Sequence, residues 1–158
     1  MKKNKPPRKI FAIEPNRESI IELRKNISNI ENCDVEVIEG CLSFCSGLLN
    51  FESSWDLTAS KCSESGKEVV QAFTIDGLLS GTPVTLIKMD IEGSELSALR
   101  GAENTIKEYS PRLAICVYHK PEDLFVIPSY IRSINNGYKY YLRKYVPNCG
   151  ELVLYAVQ

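Results

Sequence analysis

Apolar and polar residues follow one another along the chain in blocks that predict strands and helices in turn. The continuous apolar run KIFAIEP at 9–15 is typical of a strand buried on both faces that ends at Glu14. Asn16 is then predicted to cap a helix. The apolar residues on one face of that helix are Ile20, Leu23 and Ile27. Because DVEVIEG at 34–40 alternates like a strand near a sheet edge, the first part of the chain predicts strand, helix, strand.

The second half repeats this pattern around an apolar segment that carries charges. VTLIKMDIEGSE at 84–95 predicts a strand, and a helix is predicted from about Ser94 to Tyr109, where Ser110–Pro111 ends it. RLAICVYH at 112–119 predicts another strand, which ends at His119. Pro128 is predicted to open a further helix at its first position.

The stretch between these halves has weaker patterning. Residues 41–66 are rich in Ser, Cys and Gly and contain the only tryptophan, Trp55, so irregular structure with a short strand at about 48–51 is expected. EVVQAFTID at 68–76 predicts one more strand, followed by a turn with one helical turn.

The last two strands decide the fold class. YKYYLRKY and ELVLYAV, joined by VPNCG, predict an antiparallel hairpin. Together the blocks predict an α/β fold of parallel strands with crossover helices, closed by that hairpin. We expect a basic tail at 1–8 and one domain over 9–158.

Charges at strand ends mark the candidate site. Lys88, Asp90 and Glu92 alternate along one predicted strand, and three charges on one face of a dry core would need partners. The strand is therefore predicted to reach its carboxyl end here, with Gly93 permitting a tight turn. Purely structural interpretations stay open: Lys88 neutralising Asp90, and a carboxylate complementing the dipole of the next helix.

Three predicted strands end in groups that can do chemistry: Glu14, Asp90 and His119. If the strands are parallel, their carboxyl ends meet at one sheet edge, where open α/β sheets bind ligands. A single histidine is often structural, but its coincidence with carboxylates at strand ends favours a functional site.

Composition narrows the class of protein. A net charge of −1 over 158 residues gives no electrostatic reason to expect nucleic acid or a membrane surface as partner. The start lacks the apolar core of a secretory signal, and no run reaches the roughly 18 apolar residues of a membrane span. Of six cysteines, Cys41 and Cys45 are the one close pair, which is poor zinc spacing. We expect reduced thiols and a cytoplasmic protein.

The segment from Ile87 to Ile131 resembles the FkbM-type methyltransferase family. Its hallmark K-x-D-I-E-G-x-E is present from Lys88 to Glu95, FAIEPN resembles the family's second core strand, and HKPED its fifth-strand loop. The resemblance implies a Rossmann-like sheet with a reversed final strand, S-adenosylmethionine as cofactor, and methylation of oxygen.

By that resemblance, the cofactor-binding residues follow the first two strands and the quoted strand. Glu14 would accept hydrogen bonds from the ribose hydroxyls, and Gly40 and Cys41 would lie beside the adenine. Asp90 would lie near the methionine part and the acceptor. The full predicted set is Glu14, Pro15, Asn16, Gly40, Cys41 and Asp90.

Methyl transfer requires a proton to leave the acceptor hydroxyl. His119 is the preferred base, since its ordinary pKa of about 6.5 suits work near neutrality, and Asp90 is the competing assignment. Asp90 or Glu92 could orient the imidazole if the two strands adjoin, and Lys88 completes the predicted catalytic set. Asp90 and Glu92 leave a divalent metal open, but two carboxylates alone predict no metal site.

One feature departs from the family pattern. The glycine-rich turn that normally precedes FAIEP is absent, so the first core strand is predicted to be missing. Three interpretations stay open: a fragment of an active enzyme, an inactive binding or self-associating module, and a chain whose edge is completed by a dimer or a strand-donating partner. The acceptor is expected to be a small molecule or a sugar, for which Tyr118, Tyr138, Tyr140 and Tyr141 could form a surface.

Overall fold

Residues 7–52, 61–62, 68–146 and 151–158 are described by a computed structural model. Within them the chain has a mixed α/β fold with three sheets and five helices. It divides into two compact units, Met1–Cys41 with Leu48–Gln71 and Leu42–Gly47 with Ala72–Gln158. None of the described helices combines the length and apolarity needed to cross a bilayer. The expected single domain stays a prediction.

The first unit begins with the predicted strand, helix, strand. Strand β1 (Lys9–Glu14) leads through helix α1 (Arg17–Ile27) to strand β2 (Asp34–Glu39), and β1 and β2 pair in parallel. The Asn16 side chain caps α1, because its Oδ1 accepts hydrogen bonds from the N–H groups of Glu18 and Ser19 at 2.9 and 3.0 Å. Strand β1 is half-buried along most of its length, where full burial was predicted. The reason is that its sheet has only two strands in the described part of the chain.

Four strands follow between positions 41 and 73. They are β3 (Cys41–Leu42), β4 (Gly47–Glu52), β5 (Lys61–Cys62) and β6 (Glu68–Phe73), and their sheet has the order β3-β6-β4-β5. Strands β4 and β6 confirm the two strands predicted here. The two-residue strands β3 and β5 are too short to leave an alternating pattern. Trp55 and most of the Ser-rich stretch lie outside the described residues.

In the second unit, short helix α2 (Ile75–Leu79) precedes a parallel pair. Strand β7 (Leu86–Met89) is followed by helices α3 (Glu95–Arg100) and α4 (Glu103–Tyr109) and strand β8 (Arg112–Cys116). Strands β7 and β8 lie side by side, with Met89 opposite Ile115. The end of the predicted helix at Tyr109 is confirmed.

The single helix predicted from Ser94 to Tyr109 is wrong, because the chain breaks between α3 and α4. At the break, the Gly101 carbonyl accepts the Asp76 N–H at 2.9 Å. The Asp76 carboxylate in turn accepts the Thr105 N–H at 2.8 Å and caps α4. A Cβ at position 101 would lie 2.1 Å from the Ser43 carbonyl oxygen, so a glycine is needed for this approach. The contacts that break the helix come from residues far away in sequence.

The C-terminal part confirms the predicted hairpin strands. Helix α5 (Asp123–Ile134) leads to strand β9 (Lys139–Lys144) and strand β10 (Leu152–Val157), and the sheet has the order β7-β8-β10-β9. Strand β10 is antiparallel to both β8 and β9. Positions 147–150 of the predicted VPNCG turn lie outside the described residues.

The predicted start of α5 at Pro128 is wrong. Pro128 lies inside the helix, which begins at Asp123. Burial decides the start, since Ile127 and Ile131 are fully buried and Asp123 is buried in the first turn. Packing of that face outweighs the loss of the one N–H that proline lacks.

Candidate functional site

A tight turn follows strand β7 and carries the charged motif. The strand ends at Met89, Glu92 has a φ of 54° and Gly93 a φ of 87°. Within the strand, the predicted alternation of exposed and buried side chains is confirmed, since Lys88 is exposed between buried Ile87 and Met89. Its predicted extension to Glu92 is wrong, because the strand ends at Met89. The turn at Gly93 is confirmed, and it redirects the Glu92 side chain away from the strand pattern.

Lys120 closes this turn from the opposite loop. Its ammonium group donates a hydrogen bond to the Gly93 carbonyl oxygen. A Cβ at position 93 would lie 2.9 Å from Lys120 Cε. The glycine thus permits both the left-handed backbone and the close approach of the loop after β8.

His119 brings the predicted catalytic residues of this unit together. It follows β8, and its side chain is only 8% exposed. Its Nε2 lies 3.5 Å from Asp90 Oδ1 and 3.5 Å from Glu92 Oε2. Strands β7 and β8 are neighbours, which is the condition under which Asp90 or Glu92 was expected to orient the imidazole. The loops that follow the two strands therefore lie close together. Lys88, the remaining predicted catalytic residue, lies on the strand itself with an exposed side chain.

Glu95 holds the other side of the imidazole. Its side chain is fully buried, and its Oε1 lies 2.8 Å from His119 Nδ1 and accepts the Ile91 N–H at 2.9 Å. At 2.8 Å, this is the closest contact between the imidazole and a carboxylate in the described part of the chain. Sequence reasoning did not include Glu95 in the site, although it is the last glutamate of the K-x-D-I-E-G-x-E motif.

The balance of burial and charge sets the protonation of His119. Burial is the largest influence and lowers its pKa, but the carboxylates of Glu95, Glu92 and Asp90 together outweigh burial, and the pKa is raised from its ordinary value. The imidazole therefore holds its proton to higher pH than an isolated histidine does.

Tyr118 positions Asp90. Its hydroxyl donates to Asp90 Oδ1 at 3.0 Å, and its ring lies 4.1 Å from the His119 ring between centroids. Burial first, and then this hydrogen bond, raise the pKa of the phenol, so it stays a neutral donor. Burial first, and then Asp90, raise the pKa of the Cys116 thiol to about 12, so this buried thiol stays protonated.

A second buried carboxylate begins helix α5. Asp123 is 3% exposed, and its Oδ2 has no hydrogen-bond partner among the described residues. Burial and then the charge of Glu95 raise its pKa, while Lys120 acts in the opposite direction. Tyr118 was predicted only as part of an acceptor surface, and Lys120 and Asp123 were not predicted as site residues, although both belong to the HKPED segment that resembles the family.

In the first unit, five of the predicted cofactor-binding residues lie at the ends of β1 and β2. Glu14 is opposite Glu39, and its Oε1 accepts the Asn16 N–H at 2.8 Å across Pro15. Its carbonyl oxygen accepts the Gly40 N–H at 3.1 Å, and Cys41 is buried. The other carboxylate oxygen, Oε2, has no partner in the part of the chain that the structure describes. Asp90, the sixth residue of that set, belongs to the second unit.

Comparison with known proteins gives two matches. The sequence matches the family model of the methyltransferase FkbM domain over residues 2–146. The crystal structure of methyltransferase FkbM from Methylobacillus flagellatus KT, at 2.20 Å resolution, is similar with a TM-score of 0.76 and 29% sequence identity. The match covers 95% of this chain and 36% of that protein, so this chain spans about a third of its length. No curated protein matches.

Proposed function

Because this chain belongs to the methyltransferase FkbM domain family, we propose that it is an S-adenosylmethionine-dependent methyltransferase that acts on a hydroxyl oxygen of a small molecule or a sugar. The observation that carries the proposal is the buried imidazole of His119, which faces two carboxylates at the end of a parallel strand pair. Such a cluster suits proton removal from a hydroxyl, and this favours an enzyme over the inactive-module interpretation. Family membership also supports the Rossmann-like class, of which the two parallel pairs and the reversed strand β10 are the observed parts.

Glu14 is the residue that fits the cofactor's ribose. Glu14 Oε1 accepts a hydrogen bond from the Asn16 N–H, and Glu14 Oε2 can accept a hydrogen bond from a ribose hydroxyl. Gly40 has a φ of 152°, which side chains rarely adopt, and the resemblance implies that the adenine lies beside Gly40 and Cys41. When bound, S-adenosylmethionine supplies an electrophilic methyl group on a sulfonium sulfur.

The acceptor hydroxyl would be prepared by the cluster at the end of β7 and β8. Asp90, fixed by Tyr118, and the imidazole of His119, fixed by Glu95, are the two groups suited to take its proton. The carboxylates around His119 raise its pKa, so its neutral imidazole is a stronger base toward the acceptor hydroxyl than an isolated histidine. Both Asp90 and His119 therefore stay in the proposed catalytic set.

The cofactor assignment is tested by isothermal titration with S-adenosylhomocysteine. We expect one site per chain, and Glu14→Ala should weaken binding by roughly 10-fold or more, as loss of a hydrogen bond to a charged group does. The matched control is Glu36→Ala, which removes a carboxylate from strand β2 that pairs with Lys9. Absence of binding by the unaltered chain, or equal weakening by both variants, would overturn the assignment.

Catalysis is tested with S-adenosylmethionine carrying a tritiated methyl group and a panel of sugars and phenols. Transfer of label to an acceptor, lost in His119→Ala and kept in Glu103→Gln, is the expected result. Glu103 is a suitable control because its carboxylate pairs with Lys107 on helix α4. Label that goes only to nitrogen-containing acceptors would contradict the choice of oxygen.

A further inference from the structure

Three potential metal ligands lie together at the end of β7 and β8. His119 and the carboxylates of Asp90 and Glu92 each offer one ligand atom, and these atoms lie within 4.8 Å of one another. Two of the three separations are 3.5 Å, too long for direct hydrogen bonds. Ligand atoms placed about 2.1 Å from a shared cation lie about 3.0 to 3.4 Å apart. The two separations from His119 lie close to this range, and the three atoms converge within 4.8 Å of one another.

The histidine supplies an observation independent of the acidic residues. Its side chain is more than nine-tenths buried, and its Nε2 points toward both carboxylates without a hydrogen-bond partner among the described residues. A buried polar nitrogen is costly unless something binds it. A metal ion held by the imidazole would satisfy that nitrogen.

Groups around the three ligands have the arrangement that outer partners of a metal site take. Glu95 contacts Nδ1 of the imidazole, which leaves Nε2 as the ligand atom. The Tyr118 hydroxyl donates to the Asp90 carboxylate. The nearby ammonium of Lys120 is bound to the Gly93 carbonyl, so it does not occupy the space between the ligands.

We propose that Asp90, Glu92 and His119 bind one divalent transition metal ion of the Mn²⁺ class, with Glu95 and Tyr118 as positioning residues. A mixed set of one imidazole and two carboxylates favours such ions over Mg²⁺, which prefers oxygen ligands alone. Three protein ligands leave coordination positions for the acceptor. This inference rests on the proposed function and names the acceptor class: a compound whose hydroxyl, alone or with a neighbouring oxygen, can bind the metal.

The metal assigns a defined role to each group in the transfer. A hydroxyl bound to the metal has a lowered pKa, so its proton leaves to solvent. The oxygen then forms the new C–O bond while the C–S bond breaks, and that electron pair stays on sulfur. In this form of the enzyme His119 is a ligand rather than the base.

The test is titration of the chelator-treated chain with MnCl₂, followed by the loss of the free Mn²⁺ signal in electron paramagnetic resonance. We expect one Mn²⁺ per chain, with nitrogen couplings from a bound imidazole in pulsed spectra. His119→Gln should remove these couplings and weaken binding by at least about 100-fold, and Glu95→Gln should weaken it by about 10-fold. Glu103→Gln should bind as the unaltered chain does.

A second ligand variant guards against misfolding of the first. Asp90→Asn changes a side chain that is 39% exposed, and it should weaken Mn²⁺ binding while the circular dichroism spectrum and Tm stay near those of the unaltered chain. No binding of Mn²⁺ by the unaltered chain, or binding that neither variant changes, would overturn the proposal.

S-adenosylhomocysteine titrations of the same samples separate the two proposals. Cofactor binding that Glu14→Ala weakens, together with no Mn²⁺ binding, would remove the metal and leave the methyltransferase proposal standing. Mn²⁺ binding that the variants change as expected, together with no binding of S-adenosylhomocysteine, would remove the methyltransferase proposal and leave the metal site standing.

Discussion

The two parallel strand pairs end in polar groups of different character. At the end of β1 and β2, the Glu14 carboxylate is held by a backbone N–H two residues away, and the ion pair of Arg17 with Glu39 is exposed. At the end of β7 and β8, a buried imidazole lies among two carboxylates of the loop after β7 and one from the start of helix α3. The Glu14 carboxylate is thus held by a local contact, whereas the imidazole of His119 is held by contacts across 24 or more residues.

This difference indicates what each end can bind. A carboxylate held by a local N–H keeps its second oxygen for a neutral hydroxyl, which suits recognition. A buried cluster with more negative than positive groups holds a proton or a metal ion strongly, and this suits chemistry at an oxygen. The two ends should therefore respond differently to substitution.

The largest effect is expected at Glu95. Glu95→Ala removes the acceptor of the Ile91 N–H and leaves the His119 imidazole without its closest carboxylate. Breaking a buried charged pair of this kind should lower the free energy of unfolding by about 3 kcal/mol. Denaturation in urea measures it. The control, Glu103→Ala, removes a solvent-exposed ion pair with Lys107 and should lower the free energy of unfolding much less. Equal losses would mean that the cluster is no more tightly held than the surface.

A smaller effect is expected at the first end. Asn16→Ala removes the cap of α1 and should lower the free energy of unfolding by about 1 kcal/mol. Binding of S-adenosylhomocysteine should change little, because the backbone N–H that holds Glu14 remains. Asn16→Asp keeps a capping oxygen and should restore stability. A large loss of binding in Asn16→Ala would show that this end is not built from independent local contacts.

The smallest effect concerns Asp123. Its pKa is raised in the folded chain, so its ionised form costs stability at neutral pH, and that cost disappears as the pH falls below the ordinary value of 3.8. Asp123→Asn should therefore raise the Tm by about 2 °C at pH 7, and by progressively less toward pH 4. Thermal unfolding at both pH values measures the change. A gain that is the same at both would show that the ionisation of Asp123 is not its cause.

Much of the fold could be predicted because its signals are local. The cap at Asn16 and the apolar runs of β1 and β8 depend on residues within a few positions of each other. The convergence of Asp90, Glu92 and His119 could be predicted for the same reason, because parallel strands bring their carboxyl ends to one edge.

The mistakes came where distant residues decide the structure. The predicted helix breaks because Asp76 and Ser43 contact the segment around Gly101. Helix α5 passes through Pro128 because its apolar face is fully buried. The contacts at Gly101 leave no periodic signal near it, and the apolar spacing of Ile127 and Ile131 around Pro128 does not show by itself how deeply that face is buried.

The sequence by itself determined the order of strands and helices, the antiparallel C-terminal pair and the residue types that end each strand, since these follow from periodicity and capping. Only the tertiary structure decided which groups surround His119. Glu95 points inward to His119, while Tyr118 and Lys120, in the loop after β8, contact Asp90 and the Gly93 carbonyl. A buried charge needs such partners, and packing rather than position along the chain decides which residues they are.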